Sequence, residues 1–181
     1  MMKILDGRQA SLTIYQELTD KINILKTKAI TPGLAVILVG DRKDSVAYVN
    51  MKLKKCSELG IYSSILRVEV YVNDPEQTDY LVQEIEKYNK DDKIHGILIQ
   101  LPLPEHIDKD KVLNSVSLEK DVDGFHVENM GRLAINRNPV FCPCTPAGCI
   151  ELMDRNNIQI EGKDIVVIGS SCIVGLPLML M

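Results

Sequence analysis

Short apolar runs alternate with segments of helical periodicity along the first hundred or so residues, and this alternation constrains the fold more than any other feature. Strands are predicted at residues 34–39, 61–70 and 94–100, and each follows a segment with apolar side chains at helical spacing. Alternation at this spacing predicts an α/β domain in three layers, with a mostly parallel sheet between helices. Ligands of such sheets bind at the carboxyl ends of the strands. The sequence therefore predicts a site at that edge.

Turn and capping residues set the limits of the predicted helices. Asp6 can cap a first helix that runs to Lys28, and Gly60 stands past the end of the second helix. Asp74 precedes Pro75 and predicts the N-cap of the third helix, with proline at the first helical position. The second and third helices are therefore expected to connect consecutive predicted strands.

A second pattern follows a stretch at residues 120–145 that is predicted to be rich in loops. Thr145 and Pro146 then predict the cap of a further helix. An apolar strand is expected at residues 164–168, and the glycine-bearing turn at 169–175 leads from it into a helix. A strand, a turn and a helix start in this order are typical of the opening of a dinucleotide-binding fold.

The predicted organisation is one complete domain followed by the beginning of another. A mononucleotide-binding half of a Rossmann-type domain needs a βαβαβ unit, and a single strand, turn and helix cannot supply it. We therefore expect a catalytic domain over residues 1–145, then a linking helix and the start of a dinucleotide-binding domain over residues 146–181 that is truncated at Met181.

Composition excludes several classes of function. The net charge is −4, and acidic and basic side chains are interspersed, so no basic stripe predicts a nucleic-acid partner. No apolar run approaches the roughly 18–20 residues of a membrane span. Five cysteines are an odd number and predict a reducing, cytoplasmic compartment. Cys142, Cys144 and Cys149 cluster, but their spacing is unusual for zinc, so no metal is predicted.

Tyr48 and Lys52 are the first candidates for chemistry. They stand four residues apart in a predicted helix, so their side chains share one face, with Cβ atoms roughly 5–6 Å apart. A lysine that is partly desolvated beside a hydroxyl group can have its pKa lowered toward working pH and carry protons. The alternative is an ordinary helix face with a packing aromatic and a solvated charge.

The Tyr48 and Lys52 helix belongs to a set of segments that resembles a known family. The segments occur in the same order and at similar spacing in methylenetetrahydrofolate dehydrogenase/cyclohydrolases, and the resemblance covers essentially the whole chain. They are Gly40-Asp41-x-x-x-Ser45-x-x-Tyr48-Val-x-x-Lys52, Gly96-Ile-Leu-Ile-Gln100-Leu-Pro-Leu-Pro104, Lys120-Asp-Val-Asp123-Gly124-Phe, Pro143-Cys-Thr-Pro146-x-Gly148 and Gly169-x-Ser171-x-Ile173-Val174-Gly175-x-Pro177.

The resemblance implies an enzyme of one-carbon metabolism. Such enzymes oxidise 5,10-methylenetetrahydrofolate by hydride transfer to a nicotinamide dinucleotide, and hydrolyse the methenyl product to 10-formyltetrahydrofolate. Members are commonly homodimers, and the folate lies in a cleft between the first domain and the Rossmann domain. The family favours NADP, with NAD possible, since Ser170 stands where many members carry an arginine suited to a 2′-phosphate and others carry a small residue.

Roles for individual residues follow from the same resemblance. Lys52 matches the catalytic lysine, Tyr48 the tyrosine beside it, Gln100 the glutamine near the lysine and Asp123 the aspartate that binds the pterin. Leu101 and Pro102 complete the substrate-binding set. The predicted cofactor-binding residues are Gly169, Ser170, Ser171, Ile173, Val174 and Gly175.

The chemistry of the side chains supports these roles, but a purely structural role is an alternative for Gln100 and for Asp123. Gln100 can accept a hydrogen bond from an ammonium group without adding charge, or it can simply cap the sheet edge. Asp123 can accept two hydrogen bonds from a pterin amide edge, or it can belong to an Asp-Gly turn. Asp121 is predicted to shape the loop. Cys144 is given the same structural part and no nucleophilic role.

Two other functions are considered. The first is a truncated folate-binding fragment without dehydrogenase activity. The second is a short-chain dehydrogenase, whose active site also uses a Tyr-x-x-x-Lys pair. Those enzymes place the nucleotide turn before the pair, whereas Gly169 and Gly175 follow it here, so the order argues against them.

Overall fold

Three parallel strands form the centre of the first domain. A computed structural model describes residues 4–71 and 74–181. The strands are β1 (Gly33–Val39), β2 (Tyr62–Val68) and β3 (Gly96–Ile99), in the spatial order β2-β1-β3. Both neighbours of β1 run parallel to it. The predicted parallel α/β sheet is therefore confirmed.

Seven α-helices accompany the sheet in the described residues, together with one short 3₁₀ turn at Leu118–Lys120. No helix of the described ranges is both long and apolar enough to cross a membrane. The helices are α1 (Gly7–Thr27), α2 (Lys43–Leu59), α3 (Gln77–Lys90), α4 (Lys109–Asn114), α5 (Val127–Ala134), α6 (Cys144–Arg155) and α7 (Gly175–Leu180).

The core lies on both faces of β1. Successive side chains of a strand point to opposite faces. Ala35, Ile37 and Val39 accordingly belong to one apolar cluster with side chains of α3 and α4. Val36 and Leu38 belong to a second cluster with side chains of α2. Burial on both faces explains why this strand is a continuous apolar run, and it confirms the three layers.

Two predicted helix limits are confirmed by their caps. The carboxylate of Asp6 accepts hydrogen bonds from the backbone N–H groups of Arg8 (2.9 Å) and Gln9 (3.2 Å), and α1 begins at the next residue. Gly60 ends α2 with φ +73°, a left-handed conformation that costs glycine little. The chain then turns directly into β2.

Two predicted helix starts are wrong by a few residues. The carboxylate of Asp74 accepts from the backbone N–H of Glu76 (2.9 Å) and closes a turn before the helix, so α3 begins only at Gln77. The helix predicted to be capped by Thr145 begins two residues earlier than expected, with Pro143 at its N-cap. In both places the sequence correctly indicated a turn. The residue types that favour a turn also favour the first turn of a helix, so the exact start was misplaced.

The prediction of loop over residues 120–145 is wrong for α5. This helix begins after His126, whose ring nitrogen Nδ1 accepts a hydrogen bond from the backbone N–H of Glu128 (3.1 Å). Its buried face is short, and Asn129 is the residue of α5 that is buried. A single polar residue at the buried position hides the apolar periodicity on which the prediction depended.

The strand predicted at residues 164–168 is not formed. Val166 is 86% exposed and Ile168 is 98% exposed, and no strand in the described ranges pairs with the segment. A β-strand needs a neighbour for its backbone hydrogen bonds, and strand propensity alone does not provide one. The turn and helix predicted to follow are present, as α7 packs against α5 and α6.

Candidate active site

The strand order places a crevice between the carboxyl ends of β1 and β3. The chain leaves β1 toward β2 on one side and later returns to β3 on the other. The chain connections on the two sides of β1 therefore run in opposite directions. Open α/β sheets bind their ligands at such a point. Gly40 and Asp41 follow β1, and Gln100 follows β3. The residues predicted to form a site at the strand ends therefore lie beside the crevice between β1 and β3.

Lys52 and Gln100 meet at this crevice. Nζ of Lys52 donates a hydrogen bond to Oε1 of Gln100 at 3.0 Å. Nε2 of Gln100 donates in turn to the carbonyl oxygen of Leu101 at 2.8 Å, which fixes the orientation of the amide. The backbone N–H of Gln100 donates to the carbonyl of Ile37 (2.9 Å) and continues the sheet. Both side chains are half-buried.

Tyr48 lies one helical turn before Lys52 on α2 and is 56% exposed. Its ring is therefore free to stack on a ligand that enters the crevice. Leu101 is half-buried and Pro102 is exposed, and a cis peptide bond joins them. The residues named for substrate binding after Gln100 thus lie directly beside the amide that contacts Lys52.

Asp123 comes to the same place from the loop after the 3₁₀ turn. Burial raises the pKa of its carboxyl group to about 6, and the positive charge of Lys52 opposes this rise. The like charge of Asp121 adds to it, whereas the thiol of Cys144 lowers it. Lys52 and Asp123 are therefore close enough to interact electrostatically. A carboxyl group with this pKa ionises just below neutral pH and can then accept hydrogen bonds from a ligand.

Asp121 organises the loop that carries Asp123. It is 4% exposed and accepts hydrogen bonds from the backbone N–H groups of Phe125 (3.2 Å) and His126 (2.9 Å). Nδ2 of Asn129 donates to the same carboxylate at 2.8 Å. A bridge of parallel β type also pairs Asp121 with Ile97 of β3. The predicted loop-shaping role of Asp121 is confirmed.

Lys120 fixes the start of the same loop. Its Nζ donates to the backbone carbonyl groups of Tyr88 (3.1 Å), Asn89 (2.8 Å) and Asp91 (2.9 Å), at the end of α3. Carbonyl groups in the last turn of a helix lack intrahelical partners, and a cation placed there also complements the helix dipole. Lys120 is therefore a structural cation of the loop.

Cys144 also supports the loop. Its Sγ donates to the carbonyl oxygen of Val122 at 3.1 Å, although the residue as a whole is exposed. Desolvation of the thiol, followed by the charge of Asp123, raises the pKa of Cys144 to about 11. The thiol therefore stays protonated at neutral pH, in agreement with a structural part and no nucleophilic role.

Cys142, Cys144 and Cys149 are all free thiols. Within residues 4–71 and 74–181, no group of three or more cysteine, histidine or acidic side chains is placed to hold a metal ion.

The turn at residues 169–175 has the backbone of a dinucleotide-binding turn. Gly169 adopts φ +115°, and a Cβ atom on Gly175 would lie 2.0 Å from the carbonyl oxygen of Gly169. Only glycine permits this close approach. Oγ of Ser171 accepts from the backbone N–H groups of Val174 (3.2 Å) and Gly175 (3.5 Å), so it closes the turn. Ser170 is exposed at the same turn and is free to contact a cofactor.

Asn129 is the residue of this region that sequence reasoning missed. It is fully buried, and its amide joins the loop of Asp121 to the backbone of residues 140–141. A lone asparagine in a stretch taken for loop carries no sequence signal of burial. Only the hydrogen bonds of the folded chain distinguish it from Asn136 or Asn138, which are exposed.

The fold and the site together define a class, the α/β proteins that pair a binding crevice at a sheet switch point with a dinucleotide turn. Two family descriptions match the chain in the same order as its two parts. The catalytic domain of tetrahydrofolate dehydrogenase/cyclohydrolase matches residues 5–123, and the NAD(P)-binding domain of the same enzymes matches residues 143–181. The chain belongs to the tetrahydrofolate dehydrogenase/cyclohydrolase family.

Individual relatives agree with this assignment. The chain is 49% identical to the bifunctional protein FolD 4, chloroplastic, of Arabidopsis thaliana over 180 residues, which cover 98% of the chain and 49% of that protein. The bifunctional protein FolD of Helicobacter hepaticus is 48% identical over 98% of the chain and 60% of its own length. The chain thus spans between about half and three fifths of these relatives.

Solved structures give the same result. The bifunctional enzyme FolD of Campylobacter jejuni superposes with a TM-score of 0.94 at 46% identity, over 99% of the chain and 63% of that structure. The FolD enzyme of Trypanosoma brucei, solved with NADP cofactor and an inhibitor, has a TM-score of 0.91 at 36% identity, over 98% of the chain and 60% of that structure. The fold predicted from the sequence is therefore that of the family.

Proposed function

We propose that the protein acts in one-carbon folate metabolism, by oxidising 5,10-methylenetetrahydrofolate to 5,10-methenyltetrahydrofolate and hydrolysing that product to 10-formyltetrahydrofolate. The observation that carries this proposal is the hydrogen bond between Lys52 and Gln100, beside Asp123, at the switch point of the sheet. Family membership supports the substrate class, since both matched domains are named for tetrahydrofolate enzymes.

Hydrolysis needs a group that takes and returns a proton. Water adds to the carbon of the methenyl cation, and Nζ of Lys52 accepts one proton of the water, which leaves a hydroxyl group on that carbon. Nζ then gives this proton to the ring nitrogen as the C–N bond breaks, and the hydroxyl proton passes to solvent as the formyl C=O bond forms. The amide oxygen of Gln100 orients Nζ throughout this exchange.

Binding of the pterin is assigned to Asp123 and Tyr48. Above a pH of about 6 the Asp123 carboxylate is ionised and can accept two adjacent N–H donors of the pterin. The exposed ring of Tyr48 offers a face for stacking. Leu101 and Pro102 complete the wall beside Gln100.

The cofactor assigned to the turn is NADP, with NAD as the alternative. Bound dinucleotide supplies the hydride acceptor for the oxidation. The close approach of Gly169 and Gly175 leaves the backbone accessible to a phosphate group, which supports this assignment. The residues that would hold the cofactor are Gly169, Ser170, Ser171, Ile173, Val174 and Gly175.

The substitution Lys52→Met tests the hydrolytic step. It keeps the length of the side chain and removes the proton carrier, so hydrolysis of 5,10-methenyltetrahydrofolate should be abolished while folate binding is retained. Loss of methenyl absorbance measures the first, and calorimetric titration measures the second. Lys54→Met on the exposed side of α2 is the matched control and should hydrolyse at the parent rate. Unchanged hydrolysis in Lys52→Met would remove this lysine from the mechanism.

Three further assignments belong to the proposal. We infer a division between residues 145 and 146, inside α6; the second matched domain begins nearby, at residue 143, and the first ends at residue 123. Five free cysteines support a cytoplasmic location. A homodimer is the expected assembly from the family resemblance, and analytical ultracentrifugation tests it.

A further inference from the structure

Asn129 occupies a position that only an asparagine amide satisfies. Its Nδ2 donates to the carboxylate of Asp121 at 2.8 Å. Its Oδ1 accepts from the backbone N–H groups of Val140 (2.9 Å) and Phe141 (3.3 Å). The side chain is fully buried, where each unmade hydrogen bond is costly. The site therefore requires a donor on one side and an acceptor on the other.

The two segments that Asn129 joins are the two sides of the Asp123 loop. On one side, Asp121 holds the backbone of the turn that contains Asp123. On the other side, residues 140–141 lead directly to Cys142 and Pro143. The space between the two sides is filled at Gly124, where a Cβ atom would lie 2.6 Å from backbone atoms of both Cys142 and Pro143. The turn is therefore clamped against the second segment.

Cys144 completes the clamp, since its thiol donates to the carbonyl oxygen of Val122 beside Asp123. The charged and titratable groups around the Asp123 carboxyl come from three elements: Lys52 of α2, Asp121 of the loop and Cys144 of α6. The position of Asp123 relative to Lys52 depends on the conformation of the loop, and the amide of Asn129 is one of the contacts that hold this conformation.

We propose that Asn129 is a positioning residue that fixes the Asp123 carboxylate for the polar edge of a pterin. This inference rests on the proposed function, and it adds to it a residue that does not touch the reacting atoms. Asn129 acts through Asp121 on one side and through the backbone of residues 140–141 on the other. Loss of the amide donor should weaken recognition of the pterin and leave contacts with the rest of the folate in place.

The substitution Asn129→Asp tests the inference with almost no change of shape. It removes the donor and places a second carboxylate against Asp121. The probes are 5-formyltetrahydrofolate and p-aminobenzoylglutamate, which is a folate without its pterin. We expect the dissociation constant of the first to rise about tenfold, as loss of one hydrogen bond to a charged group predicts. The dissociation constant of the second should stay within about twofold.

A double variant supplies the rescue. Asp121→Asn combined with Asn129→Asp exchanges the amide and the carboxylate, restores a donor and acceptor pair and keeps the net charge of the parent. It should bind 5-formyltetrahydrofolate more tightly than Asn129→Asp, although the acceptor for the backbone N–H of His126 is lost, because the same oxygen of Asp121 serves His126 and Asn129. Asn138→Asp, the same change at an exposed position, is the control and should bind as the parent does.

The outcomes separate the inference from the proposed function. A parent chain that does not bind 5-formyltetrahydrofolate overturns the proposed function and this inference with it. A parent that binds while Asn129→Asp binds equally well, or loses both probes to the same extent, overturns the inference alone. If thermal unfolding shows that Asn129→Asp does not fold, the double variant decides: retained selectivity for the pterin-containing probe supports the inference, and loss of that selectivity overturns it.

Discussion

The carboxyl group of Asp123 opposes folding at neutral pH. Its pKa is raised from 3.8 to about 6 in the folded chain, so the folded state holds the proton more tightly than the unfolded state. As pH rises from about 4 to about 6, the unfolded chain ionises first and the free energy of unfolding falls. The full cost is present above a pH of about 6. A group that destabilises its own fold is typical of a binding site.

Replacement of Asp123 by asparagine should therefore stabilise the protein. At pH 8 we expect the free energy of unfolding of Asp123→Asn to exceed that of the parent by on the order of 2 kcal/mol. The difference should shrink toward zero as pH falls below about 4, where Asp123 becomes protonated in the unfolded chain as well as in the folded chain. Urea denaturation at the two pH values measures it, with the exposed Asp92→Asn as control. A variant less stable than the parent at pH 8 would contradict the argument.

Individual site residues differ in how far the sequence predicts them. The family resemblance implied that Gln100 lies near Lys52, and Nζ of Lys52 does donate to Oε1 of Gln100 at 3.0 Å. Their catalytic roles remain a proposal. Asn129 was not predicted, because its burial depends on hydrogen-bond partners in two irregular segments outside its own helix. Short-range patterns identify side chains that stand at known positions of a sheet, but not those buried by a loop.

At the scale of the elements, the Asp123 turn depends on Gly124. It adopts φ +71°, and a Cβ atom there would meet the backbone of Cys142 and Pro143. We expect Gly124→Ala to lower the free energy of unfolding by about 1–3 kcal/mol, because both the conformation and the close approach are unfavourable for alanine. Guanidinium denaturation measures this change.

Gly131→Ala is the matched control for that substitution. Gly131 lies within α5, and a Cβ atom on it would have no neighbour within 4 Å. Alanine should therefore raise stability by about 0.5–1 kcal/mol, since it favours the helix over the unfolded chain. Equal effects of the two substitutions would show that the turn imposes no special constraint.

The sequence predicted the strands correctly where a strand-like segment also has a neighbouring strand to pair with. β1, β2 and β3 each have a neighbour in the sheet, and their apolar runs were recognised. The run at residues 164–168 is also rich in isoleucine and valine, yet it forms no strand because nothing in the described ranges pairs with it. Apolar alternation indicates what a segment can become, whereas the ladder depends on the rest of the fold.

At the scale of the whole molecule, Arg155 connects the two ends of the chain. Its guanidinium donates to both carboxylate oxygens of Glu17 at 2.8 and 2.7 Å, and Nε donates to Glu151 at 2.5 Å. The contact with Glu17 raises the pKa of Arg155 more than the contact with Glu151 does. The pair with Glu17 joins α1 to α6 across 138 residues of sequence.

Loss of this connection should lower the melting temperature. Arg155→Met keeps the aliphatic contacts and removes both ion pairs, so we expect a decrease of a few degrees at low salt. The decrease should be smaller in about 1 M salt, because the pairs are solvent-exposed and screened. Thermal unfolding at both salt concentrations measures it, and Arg137→Met is the control. A loss that is independent of salt would indicate packing as the cause.

The ammonium group of Lys120 connects two backbone segments that lie far apart in sequence. One group satisfies the carbonyls of Tyr88, Asn89 and Asp91 and also begins the loop of Asp123. The end of α3 and the loop of Asp123 should therefore open as a single cooperative unit. Amide hydrogen exchange should give the backbone near Tyr88 and near Phe125 the same opening free energy, and Lys120→Met should lower both together. Ligand that closes the loop would then protect a helix end that it never touches.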